Sequence, residues 1–473
     1  MTRSRSTPHS PRYRVDGARA EHRRIASVRR RWALIREAID TRLWPIPLLT
    51  IIFAVVAGVL IPILDARVDS RLPDPVIAVL FNGGPDSARA VLSTIAGSLI
   101  TATSLTFSLT VVALQLASNQ ASPRLLRLFA SDRTVHATLA TFLGTFTFSL
   151  MVLRSVQNST DATAAAVPSI AITLCLLLTL TSVIMLTIFL AHLAKQLRVE
   201  TMLRNVHRET KRTIELVRTT TEDGPIDVPS NERPKKVHTV LAEHSGFLLS
   251  ASRGRVVSLA THLDLVVEEE HSIGTSVIAG VPLVKWWPRS GALPDDFDMV
   301  SFGRAIRSAY ATGYERTSSQ DIGFGLRQLV DITIRALSPG VNDPTTAVHA
   351  LSHISAVLCL IVQLPTQPAA LLDDEGVARL IVRPHRFEAL LNLAVEQPRR
   401  YGAADPDVAG RLFLLLREVA LNTEDFVHLE AVRSQCSRLE ASVAAADYDG
   451  DERVRFCELI TSVKQALNIH QDV

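Results

Sequence analysis

Apolar residues gather in four uncharged runs ahead of residue 195: Trp44 to Leu64, Ala90 to Ala117, Val135 to Leu153, and a fourth over about 166–193. A helix needs about twenty apolar residues to cross roughly 30 Å of hydrocarbon, so each run predicts a transmembrane span. The first run follows a twin arginine, Arg23 and Arg24, but it is too long for a signal peptide and has no small-residue cleavage site. Beyond residue 193, Leu197, Val206, Ile214 and Val217 recur at helical spacing among lysines and arginines. This predicts that the fourth span continues unbroken as an amphipathic cytoplasmic helix over 194–221.

The remaining chain is patterned differently. Proline, glycine and mixed charge between Glu222 and Lys236 mark a linker. Over 237–300, short β-type runs (Gly246 to Leu249, Leu263 to Glu268, Val277 to Trp286) are separated by Gly254, Gly274 and Gly280, which predicts a small β domain similar to a barrel-sandwich. No carrier lysine accompanies it. A helical segment over 301–363 follows, then a second linker around Pro365 to Glu375, and a mainly helical C-terminal domain over 377–473 with a short strand at Arg379 to Val382. The predicted class is an α-helical membrane protein with four transmembrane helices and a cytoplasmic α+β region, a small β barrel-sandwich-like domain followed by a helical one.

Charge orients this layout. The arm over 1–43 carries twelve arginines against four acids, the loop after the second run holds Arg124, Arg127 and Arg133, and Lys195 to Arg218 adds seven lysines and arginines. The other two loops hold only Arg67, Arg71, Arg89 and Arg154. Positive residues resist translocation, so both termini are expected in the cytoplasm of a multi-pass cell-membrane protein. Beside an apolar span the arginine arm suits topology and anionic lipid rather than nucleic acid. The whole-chain net charge of +3 conceals this asymmetry.

In the second run, Thr94, Gly97, Thr101, Ser104, Ser108, Val111 and Gln115 repeat at spacings of three and four, which puts them on one helix face. Ser98, Thr103, Thr106 and Thr110 lie on other faces. Small and hydroxyl residues let helices approach, so the stripe reads as a packing seam. The competing reading is the lining of a water-filled path at the axis of a homo-oligomer, four spans being too few for a pore within one subunit. His136, near the cytoplasmic start of the third run, is expected to snorkel to water.

The most distinctive stretch runs from Gly325 to Ala347. Arg327, Asp331 and Arg335 are four apart and can pair along one face. Pro339 and Gly340 stop that helix, and Asn342, Asp343 and Pro344 open the next with an N-cap and a first-turn proline. That grammar accounts for the motif; the other reading joins the two arginines to the new helix's free N–H groups as an anion or interface site. Glu268 to His271 reads as a solvated strand edge. Asp447 to Asp451 reads as a polar turn, because Ala445 and Phe456 would occupy the first and twelfth positions of a calcium loop. The scattered cysteines (Cys175, Cys359, Cys436, Cys457) read as reduced, buried thiols with no metal spacing. No HExxH, nucleophile elbow or phosphate loop is present, so no enzyme, cofactor or metal is expected.

Several of these segments together resemble the bacterial membrane protein family called domain of unknown function 2254. They are Ser104-Leu105-Thr106, Val112 to Ser118, Ser122-Pro123-Arg124, Asp132-Arg133, Phe142 to Phe146, Arg327 to Thr346, and Arg400 to Pro406. The resemblance covers most of the chain and implies a multi-span membrane protein without implying an activity. The long arginine arm departs from the family's pattern. Taken together, the residues lead to a channel-like or transport-related homo-oligomer, with a membrane-anchored scaffold or signalling module as the alternative.

Overall fold

A computed structural model describes residues 45–68, 80–120, 132–156, 167–219, 234, 236–291, 293, 297–364, 369–383 and 385–469. The arginine arm, the loop carrying Arg124 and Arg127, most of the linker after Glu222, and the start of the fourth run lie outside them. The chain divides into two compact units, one ending at Leu197 and the other running on from Arg198.

The first unit holds α1 (Pro45–Val68), α2 (Pro85–Gln120), α3 (Arg133–Ser155) and α4 (Ser169–Gln196). Its helix α3 is the inner one, packed against both α1 and α4. Close approach needs small residues: a Cβ on Gly58 would lie 2.4 Å from Met151, and one on Gly144 would lie 2.7 Å from Thr50. Leu92, Ile95 and Leu99 of α2 join Phe142, Phe148, Ile172 and Cys175 in the shared core. The outward faces of α1 and α4 expose Phe53, Leu60, Leu177 and Leu180, the surface that hydrocarbon requires. His136 is fully buried on α3, so it does not snorkel. The inner position of α3 explains this, since neighbouring helices cover the turn the sequence placed at the interface.

Both ends of α4 are tied by carboxylates from other elements. Asp65, near the end of α1, is buried and accepts the Ile170 and Ala171 N–H groups at 2.9 and 3.2 Å. At the opposite end Asp132 caps α3 through the Thr134 N–H at 2.7 Å, and lies 2.6 Å from His192 Nε2. Gln196 also donates to Asp132. Each carboxylate meets free helix-end N–H groups where the macrodipole favours a negative charge.

The second unit opens with α5 (Val199–Thr219). The expected unbroken helix is interrupted: Leu197 closes α4, and the Arg198 carbonyl accepts the Thr201 and Met202 N–H groups of α5 at 3.0 and 3.2 Å. Apolar positions stay in phase across the break, which is why periodicity alone misses it. There follow β1 (His238–Leu241), β2 (Gly246–Ala251), α6 (Arg253–His262), β3 (Leu265–Glu269), β4 (Ser276–Val277), β5 (Pro282–Pro288), α7 (Met299–Arg307) and β6 (Tyr310–Gly313). Next come α8 (Ile322–Ala336), α9 (Pro344–Ile361), β7 (Ala369–Leu372), β8 (Ala378–Val382), α10 (Phe387–Gly402), α11 (Pro406–Ala420), α12 (Phe426–Ala444) and α13 (Gly450–Asn468).

Its strands form a five-stranded sheet in the order β1-β5-β3-β8-β7 and a three-stranded sheet in the order β4-β2-β6. The pair β3 and β8 is parallel, with Val267 opposite Leu380, and the other pairs of the larger sheet are antiparallel. In place of an all-β sandwich over 237–300, the sheet recruits β7 and β8 from beyond residue 368, and α6 and α7 interrupt the strands. Trp286, Phe302, Ile306, Val267 and Leu380 fill the core.

Central placement of β3 overturns the solvated-edge reading. Glu268 and Glu269 are both buried. Arg253 grips Glu269 with two bonds of 3.0 and 3.1 Å, Tyr310 donates to it at 3.3 Å, and Arg383 reaches Glu268 at 3.3 Å. Burial, then the Glu269 charge, pushes the Tyr310 hydroxyl well above its usual range. Two more pairs close at 2.7 Å, half-buried Arg316 with buried Asp321 and buried Arg379 with Asp373.

Five described helices are long and apolar enough to cross a membrane: α1 to α4, and α9. The last packs against α5, α8 and α11. Of the cysteines, Cys175 and Cys436 are buried, Cys359 is half-buried and Cys457 is exposed on α13, so the uniform expectation of buried thiols fails at the last.

Candidate functional site

The second-run stripe lies on the outer side of α2. Thr94, Gly97, Thr101, Ser104, Ser108 and Gln115 are all exposed, while Leu92, Ile95, Leu99, Thr106, Thr110 and Ala113 on the other side are buried. A Cβ on Gly97 would meet nothing within 4 Å, so no described helix packs there. Thr94 and Thr101 turn their hydroxyls back to the Ala90 and Gly97 carbonyls at 2.7 and 3.0 Å, the usual way a threonine satisfies itself in an apolar setting. Ser104 and Ser108 make no hydrogen bond among the described residues. Among the described residues no side chain covers the stripe, which faces whatever surrounds it.

The motif between α8 and α9 is a helix stop and start. The chain leaves α8 through Ser338, whose carbonyl accepts the Asn342 N–H at 2.9 Å. Asn342 takes a left-handed φ of 48°, a conformation Asn tolerates better than most residues. Asp343 then caps α9, accepting the Thr346 N–H at 3.0 Å and its hydroxyl at 2.6 Å. Those two bonds hold its carboxyl below the usual carboxylate range. Arg327 donates to Gln397 of α10 at 2.7 Å, and Arg335 is exposed.

Beside the first turns of α9, the structure contains a cleft of about 300 Å³. Its arginines are Arg411 of α11 and Arg455 of α13; neither Arg327 nor Arg335 lines it. Thr345, His349 and Asp407 complete its polar wall. Arg411 is held by Glu418 through two bonds of 2.8 Å and by Ser352 at 3.0 Å, while Arg455 sits 3.5 Å from Asp407. Each cation already faces a carboxylate, so the cleft has no surplus charge to attract an anion.

Sequence reasoning passed over Asp65, Asp132, His192 and the Arg253 and Glu269 pair. A signal existed only for Asp132, an acid directly before the third run in N-cap position. The partners of the others lie from sixteen to more than a hundred residues away.

A family model described as "Predicted membrane protein (DUF2254)" matches residues 40–418. Among curated proteins, uncharacterized proteins of Mycobacterium bovis and Mycobacterium tuberculosis are each 32% identical over 407 residues, covering 85% of this chain and 76% of the relative. No solved structure matches.

Proposed function

The chain belongs to the DUF2254 family of predicted membrane proteins, and from that premise we propose that it acts as a homo-oligomeric, channel-like or transport-related protein of the bacterial inner membrane. In this reading α1 to α4 cross the bilayer with both termini cytoplasmic, and copies of α2 stand nearest the oligomer axis. The unit from Arg198 onward forms a cytoplasmic ring for assembly or gating. Helix α9 is not counted as a span, because helices of its own unit cover its apolar positions. The role is permeation rather than catalysis.

One observation carries the reading: Ser104 and Ser108 stand exposed near the middle of the longest span with no partner among the described residues. A hydroxyl left unsatisfied in hydrocarbon is unfavourable, whereas a water-filled axis or a neighbouring copy satisfies it. Cysteines placed singly at Thr94, Thr101, Ser104 and Ser108 are expected to react with a water-soluble thiol reagent in membranes, and the reconstituted protein to conduct. Absence of both, with a partner captured by crosslinking, would instead support a membrane-anchored scaffold or signalling module with no permeation path.

A further inference from the structure

Helix α5 has two unlike sides. Met202, Leu203, Val206, Thr210, Thr213 and Ile214 are buried, on the side that packs against α8 and α9. Arg204, Arg208 and Arg212 are exposed at four-residue intervals on the other side, with Lys211 and Arg218 beside them. Glu200 and Glu215 are the acids of that side, and Glu215 is 3.9 Å from Lys211. Arg204, Arg208 and Arg212 have no carboxylate partner among the described residues. Like charges four apart on a helix disfavour one another, so the row is unfavourable for the helix unless an anion outside the chain meets it.

Connectivity identifies that anion. With 28 residues α4 is about 42 Å long, enough to cross the hydrocarbon and reach the headgroup layer. Arg204 follows Gln196 by eight residues, roughly 12 to 16 Å of chain, comparable with the headgroup layer plus one screening length in physiological salt. We propose that the exposed row of α5, Arg204, Arg208 and Arg212, binds the anionic headgroups of acidic phospholipids in the leaflet that α4 has just left. Guanidinium groups suit phosphodiester oxygens, being planar forks of N–H donors. Because the row belongs to α5, lipid binding there acts on a helix seated directly against α9.

The test uses the full chain in nanodiscs of phosphatidylcholine with or without phosphatidylglycerol, and measures by native mass spectrometry which lipid the extracted protein retains. Wild type is expected to prefer phosphatidylglycerol, and Arg204→Gln/Arg208→Gln/Arg212→Gln to lose that preference by on the order of fivefold per arginine, about a hundredfold in all. Repeating the comparison in chains lacking residues 1–43 removes the arginine arm as a source. Equal preference in wild type and triple variant, with and without the arm, overturns the proposal. If the triple variant does not fold, a salt titration of wild type decides: the preference must fall steeply with added salt, and salt-independent retention overturns the idea. A row that shifts a short duplex in a gel without preferring phosphatidylglycerol is a nucleic-acid surface, and the lipid assignment is then wrong.

Discussion

The two units of this chain keep charge in opposite places. In the unit ending at Leu197, the described carboxylates that bond across helices are Asp65 and Asp132, both at helix ends, and each is matched to free N–H groups. In the following unit Glu268, Glu269, Asp321 and Arg379 are buried at the heart of the fold, each held by an ion partner. Surroundings explain the contrast. A helix bundle in lipid can place charge only where its backbone is already polar, whereas a sheet in water can bury a charge once a partner arrives from another element.

The comparison breaks most visibly at Glu269. Arg253→Met leaves its carboxylate buried without two of its bonds and is expected to destabilise the second unit by about 3–5 kcal/mol. Adding Glu269→Gln removes the stranded charge, keeps an acceptor for Tyr310, and is expected to restore most of the loss. Urea denaturation followed by the fluorescence of Trp286 and Trp287 in β5 measures both. If Arg253→Met unfolds no more easily than wild type, the buried pair is not what holds the sheet.

The first unit is better probed through its glycines. Gly144→Val drives a side chain into Thr50, which a Cβ alone would approach to 2.7 Å, and is expected to cost about 1–3 kcal/mol as overpacking between α1 and α3. The same change at Gly97, which faces open space, is expected to leave the melting temperature of a single chain nearly unchanged while reducing crosslinked oligomer. Equal effects at the two positions would mean that the outer side of α2 is covered within one chain. Asp65→Ala should cost less, about 1 kcal/mol for a lost cap, read as a lower melting temperature in detergent.

How much of this was open to reading depends on distance along the chain. The apolar helices were legible because lipid demands about twenty apolar residues in a row, a requirement written within each segment. The stop and start around Asp343 was legible for the same reason, since the cap and its Thr346 partner are three residues apart. Glu268 and Glu269 were not, because β8 arrives from residue 378 to bury them and Arg383 comes with it. The cleft beside α9 shows the same limit. Its arginines come from α11 and α13, and Arg327, the nearer residue in sequence, serves α10 instead. Spacing placed the α2 hydroxyls on one side of a helix, but only packing could tell which side.

The smallest expected effect lies where α5 meets α9. His207 of α5 packs its ring edge-on at 5.1 Å from His353 of α9, and its buried Nδ1 has no hydrogen-bond partner among the described residues. Burial foremost, with Lys211 nearby, pulls His207 below its ordinary value of 6.5. Arg204 of α5 and His349 of α9 add positive charge around the pair when protonated. The seated helix thus resists a proton that an unseated α5 would accept near pH 6.5, so seating is strongest above that value. It weakens as pH falls from there toward the lowered value in the folded chain, and levels off below it. Burial lowers His353 as well, so hydrogen exchange of the α5 amides should accelerate over that window in wild type, less steeply in His207→Gln, and lose its pH dependence in His207→Gln/His353→Gln, once the chemical pH dependence of exchange is divided out. An α5 whose protection stays constant across the window would place the control of this seam in its apolar residues, Leu203, Val206 and Ile214, and not in the histidine pair.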